Sequence, residues 1–230
     1  MKLIYTLGLS LILISSYAQR SVQEKVSKLS DSLTIALNSH IGESEPDYFN
    51  ERRYISRILA LDKSNECALY TQARILARAR QYDSSIIALS KMISKKKTAW
   101  LLLFRGALFE IQGLTEKSRA DYKAALDAST AALLDTRDTT TRIQILSTTA
   151  TAKLLLGGER TEVADSLQQA FAGLRNAEND AICQRFLNRA RFFNRKSFVD
   201  QYRDGYYLGG VRMGSMEPKH DGPIQRIPKP

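Results

Sequence analysis

Residues 66–130 nearly repeat themselves, and no other feature of the chain narrows its fold as much. Ala68-Leu69-Tyr70-Thr71-Gln72-Ala73 opens a helical pattern that closes at Lys91-Met92-Ile93. Thr98-Ala99-Trp100-Leu101-Leu102-Leu103 opens a second, which closes at Ala124-Ala125-Leu126. The small residues Ala73 and Gly106 hold equivalent places, 33 residues apart. A unit of that length accommodates one helix pair. Two helices with one apolar stripe each cannot bury both stripes alone, so such units must stack on neighbours.

The rest of the chain agrees with helices. No proline occurs between Pro46 and Pro218, whereas a turn-rich β domain of that length would use several. Val26, Leu29, Leu33, Ile35 and Leu37 mark a helix over 22–38, by spacing that is mostly three to four residues. Gly42 to Pro46 breaks it, and Asp47 is placed to cap a second helix through Tyr54, Ile55, Ile58, Leu59 and Leu61. Asp62-Lys63-Ser64-Asn65 reads as a polar turn. The first full pair is expected over 66–79 and 84–94, with a turn at 80–83. The second is expected over 98–112 and 115–134, with Gly113 in the left-handed conformation and Thr115 as cap. Beyond a polar connector at 135–141, helices over 142–156 and 161–174 flank Gly157-Gly158. Their small position, Thr151, follows Gly106 by 45 residues, so this pair departs from the period. Ile182, Phe186, Ala190 and Phe193 predict one final helix over 179–202, capping the stack.

The two ends read differently. Lys2, the apolar run Leu3–Ile14 and Ser16-Tyr17-Ala18 have the pattern of a secretory signal peptide cleaved before Gln19. The apolar run is shorter than the ~20 residues that span a bilayer. The expected organisation is therefore a signal peptide over 1–18, a helical-repeat domain over 19–204 and a flexible tail over 205–230. The tail carries five glycines and four prolines and little apolar pattern. Export to the periplasm or the exterior follows from the leader.

Charge is uneven. The net +10 gathers as +8 over 51–105 and +6 over 184–230, with −3 between them over 106–183. Such an imbalance favours acidic surfaces as partners. Catalytic patterns are absent: there is no GxSxG elbow, phosphate-cradling loop, CxxC or HExxH. Two cysteines (Cys67, Cys183) and two histidines (His40, His220) lack metal-ligand spacing. Export permits a bridge between the cysteines, but they fall in distant helices and read better as small buried hydrophobes. The chain is expected to be no enzyme and to need no cofactor or metal.

The repeated stretch resembles the tetratricopeptide repeat, carried by Leu69, Ala73, Leu76, Tyr82, Ser85 and Leu89 in one copy. Leu102, Gly106, Phe109, Gly113, Ser118, Tyr122, Ala125 and Leu126 carry it in the next. The resemblance implies an all-α fold, a right-handed α-solenoid of antiparallel helix pairs whose first helices line a concave groove. Carried onto this sequence, the groove positions are Tyr70, Arg74 and Arg78, then Trp100, Leu103 and Glu110. Trp100 suits a packed core as well as a groove. The lysine and asparagine set with which some members clamp a C-terminal carboxylate is not reproduced. The implied function is an exported, non-catalytic scaffold that binds a protein or peptide in the groove. Lys91 and Lys95-Lys96-Lys97, with Arg185, Arg189, Arg195 and Lys196, offer an alternative partner, an anionic envelope polymer. An exported chain is not expected to meet nucleic acid.

Overall fold

The computed structural model describes residues 2–39 and 48–204. Among them all regular structure is α-helical, in ten helices: α1 Lys2–Ser39, α2 Phe49–Leu61, α3 Glu66–Arg78, α4 Tyr82–Lys95, α5 Ala99–Ile111, α6 Thr115–Asp135, α7 Thr139–Leu155, α8 Arg160–Ala172, α9 Asp180–Arg191 and α10 Arg195–Asp204. The chain forms two compact units, one reaching Gln72 and the other running from Ala73 through α10. The boundary therefore falls inside α3.

In the first unit α1 packs on α2. Val26 and Leu33 are buried on α1, and Ile55 and Ile58 on α2, so the three- and four-residue spacing is realised as one stripe per helix. The expected leader and the expected first helix of the repeat domain lie on one continuous helix from Lys2 to Ser39. No described helix is long and apolar enough to cross a membrane. Asp47, expected as a cap, lies outside the described residues, as does the tail from 205. Helix α2 starts from Tyr48 with no side-chain cap bond, whereas α3 is capped by Asn65, whose Oδ1 accepts from the Ala68 amide at 3.0 Å.

In the second unit successive helices from α4 to α9 pack on one another. Three turns set their directions. Arg80 (φ 58°), Gly113 (φ 74°) and Gly157 (φ 98°) adopt left-handed backbone. Each is followed by an amide that donates to the carbonyl five residues back: Gln81 to Leu76, Leu114 to Phe109 and Gly158 to Lys153. This double hydrogen-bonded helix stop satisfies carbonyls the helix would otherwise leave open. The first two turns lie 33 residues apart, as the sequence period requires, and the third follows after 44. Thr115 is not a cap: α6 starts from Leu114, with no side-chain cap bond. Helix α7 starts earlier than its periodicity suggests, at Thr139, because Asp138 accepts from the Thr141 amide at 2.7 Å and caps it.

Two cores result. One joins Leu102, Leu103, Tyr122, Ala125, Ala152 and Leu155 from α5, α6 and α7. The other joins Ile143, Ala150 and Leu154 of α7, Val163, Ala164, Leu167 and Phe171 of α8, and Cys183, Phe186, Leu187 and Ala190 of α9. Helix α9 thus covers the α7–α8 pair. Val163, branched at Cβ, is accommodated in that core. Both cysteines are free thiols. The single terminal helix expected over 179–202 is two helices. The chain breaks at Phe192–Asn194, where Asn194 Oδ1 accepts from the Ser197 amide at 2.9 Å and starts α10 in a new direction.

Candidate functional site

Helix α5 is the most apolar of the short helices, and it carries Trp100, Leu103, Phe104, Ala107 and Glu110 at spacings that place them along one side. Leu103 and Phe104 are buried, Trp100 and Glu110 half-buried. What covers this side is α10, which returns to pack on α5. Phe198 and Phe193 pack against the core that contains Leu102 and Leu103. Phe104 stacks on Tyr202, with ring centroids 4.7 Å apart and planes inclined at 23°. Phe198 meets Tyr202 edge-on at 5.3 Å. An aromatic pair of this kind contributes about 0.5–1.5 kcal/mol beyond its buried area.

One arginine fixes the register of the two helices. Arg195 donates through Nε to Glu110 Oε1 at 2.7 Å and through Nη2 to Oε2 at 2.9 Å. Its Nη1 donates to the Leu155 carbonyl at 2.6 Å, near the C-terminus of α7, where a cation is favoured. Tyr122 adds a third hydrogen bond to Glu110, from its hydroxyl to Oε2 at 2.8 Å. Both carboxylate oxygens are thereby satisfied. Burial pushes the Tyr122 phenol above its ordinary range, and the charge on Glu110 raises it further, so this hydroxyl stays a donor throughout the physiological range. Arg195 remains 46% exposed, so the pair specifies geometry more than it stabilises, contributing ~0–1 kcal/mol.

The platform beneath is held independently of α10. Arg105 of α5 makes a two-pronged contact with Asp121 of α6, at 2.8 and 2.7 Å, and donates to Ser90 of α4 at 2.9 Å. Asp121 is buried. This network ties three helices together and was not legible in the sequence, where Arg105 shares no pattern with its partners. Gln112 donates to Asp83 at 2.7 Å and links the α5–α6 turn to the start of α4.

The six positions expected to line a groove fare differently. Leu103 is only 5% exposed, as part of the core. It is not an open recognition position. Arg74 is likewise buried, so it is not displayed on an open face with Arg78. Glu110 is engaged by Arg195 and Tyr122. Tyr70, Arg78 and Trp100 are half-buried, and each interacts with other groups of the chain. Leu103 and Glu110 are brought together, under α10. Tyr70 belongs to the first unit and the other five to the second. Lys91 and Lys95–Lys97 are exposed around the α4–α5 link.

Sequence reasoning missed Arg195, Phe198 and Tyr202 as the residues that read this face. Their spacing of three and then four is visible, but in the sequence it continues the stripe of one long helix over 179–202. Asn194 was the only sign of a new start. Among the described residues no group of histidine, cysteine, aspartate and glutamate is placed to hold a metal ion. Compared with family models, with curated proteins and with solved structures, the chain matches none.

Proposed function

We propose that the chain is a non-catalytic helical-repeat scaffold of tetratricopeptide type, exported by its N-terminal leader, that binds a protein partner on the face of α5. The observation that carries this reading is that the face already takes a helix. Stacked rings, a two-pronged arginine and a carboxylate with both its oxygens engaged are the features of a protein–protein contact. Tyr and Trp beside arginine dominate such interfaces. Trp100, in line with Leu103 and Phe104, extends the face along α5.

A photo-crosslinking residue at position 100, in the full chain expressed in its native envelope, tests this. One discrete crosslinked protein is expected, and Glu110→Arg should abolish it. Should Trp100→Ala leave the affinity for that protein unchanged in a folded chain, the α5 reading fails. The exposed lysines at 91 and 95–97 favour a second reading, binding to an anionic polymer. Salt separates the two. Polymer affinity falls steeply between ~50 and ~200 mM because counterions are released, whereas a contact through buried rings weakens only modestly.

A further inference from the structure

Resting on that reading, we propose that α10 is a displaceable occupant of the α5 face. The partner recognised there is then a helix with a guanidinium and two aromatic rings at the spacing of Arg195, Phe198 and Tyr202. Four observations carry this. First, the residues that α10 uses lie on one side, at positions i, i+3 and i+7, the arrangement by which an amphipathic helix reads a groove.

Second, α10 is ten residues long, and isolated helices shorter than ~12–15 residues are marginal in water. It holds its shape through docking and through surface pairs of Asp200 with Lys196 and Arg203. Third, its seating is incomplete: Gln201 Nε2 is buried without a hydrogen-bond partner among the described residues, and the Arg195 pair is half open to solvent. Fourth, the platform does not need it. The Arg105–Asp121–Ser90 network and the contacts of Leu102, Tyr122, Ala125, Ala152 and Leu155 lie on α4 to α7. Residues 192–194 are the only chain between α9 and α10, so release turns on rotation at three residues, of which Phe193 packs against the neighbouring cores.

A partner helix competes for the same carboxylate and rings. Its apparent affinity is lowered by the fraction of chains in which α10 is seated. Because Glu110 supplies the acceptor, a partner presenting an acidic residue in place of arginine is rejected.

The experiment uses the full chain and a labelled synthetic peptide of residues 193–204. Phe198→Ala/Tyr202→Ala loosens α10 while leaving the α5 face intact, so this variant should bind the peptide at least about tenfold more tightly than wild type. Adding Glu110→Ala should remove the gain. In wild type, amides of α10 should exchange with deuterium at least about tenfold faster than those of α5 and α6.

If the α10 amides are as protected as those of α5, α10 is a permanent cap and displacement fails, while crosslinking at position 100 still decides the α5 reading. If α10 exchanges freely yet the folded double variant binds no peptide, recognition of such a helix by α5 fails. Should the double variant not fold, the exchange measurement on wild type decides displacement by itself.

Discussion

At position 106 an added Cβ would lie 2.6 Å from Cε1 and 2.8 Å from Cδ1 of Tyr122. The ring retreats only at a cost, since Tyr122 is fully buried and its hydroxyl is fixed on Glu110. Helix propensity favours alanine over glycine by ~1 kcal/mol, and overpacking costs ~1–3 kcal/mol. With so close an approach overpacking wins. Gly106→Ala should lose about 1–2 kcal/mol in urea unfolding, and the displaced ring should loosen α10 through Glu110. Arg80 is the opposite case. It holds left-handed backbone where its counterparts 113 and 157 are glycine. Left-handed backbone costs a residue with a Cβ ~1–2 kcal/mol, and glycine gives back ~0.4–1 kcal/mol through the freedom of the unfolded chain. Arg80→Gly should therefore gain about 0.5–1 kcal/mol, read as a higher melting temperature. An unchanged or lower melting temperature would show that Arg80 makes a contact worth the strain.

Helix ends give the next scale. Asp138 and Glu159 cap α7 and α8. The Thr141 hydroxyl and amide hold the Asp138 carboxyl below its ordinary range, and the Glu162 amide does the same for Glu159. Lowered folded-state values mean that these caps stabilise fully above about pH 5 and are lost as the pH falls through the lowered values, below about pH 4. Amides in the first turns of α7 and α8 should fray there, while the first turn of α6, which carries Glu116 but no side-chain cap bond, should respond less. Asp138→Asn keeps an acceptor without a charge, so the response at α7 should vanish; a response that persists would refute the assignment. Helices and turns were legible because each has a local cause: the 33-residue period fixed Arg80 and Gly113, and apolar spacing fixed the stripes. The break at Phe192–Asn194 was not, because neither glycine nor proline marks it. The burial of Leu103 was hidden for another reason. A groove position is defined by what does not cover it, and the covering of α5 depends on a helix 85 residues later in the chain, as the Glu110–Arg195 pair shows.

Taken whole, the chain has two compact units and a single tryptophan, Trp100, which lies in the second. Its fluorescence reports that unit alone, whereas far-ultraviolet circular dichroism reports every helix. Unfolding followed by the two probes in urea should not coincide, and superimposable curves would mean that the units unfold as one. Within the second unit, the 44 residues between the Gly113 and Gly157 turns explain the third pair that departs from the period. Helix α6 has 21 residues where α4 has 14, and α7 has 17 where α5 has 13. The links 96–98 and 136–138 are equally long. The extra residues are thus seven in one helix and four in the other, close to two turns and one turn at 3.6 residues per turn. Arg142, in the added turn of α7, bonds back to the carbonyls of Leu133 and Thr136 at 3.1 and 2.8 Å. Growth by whole turns keeps every apolar stripe facing its neighbour. The lengthened hairpin is a spacer in phase with its surroundings: trimming it by the same seven and four residues should leave the packing below it in register, whereas removing two or five would turn the faces away.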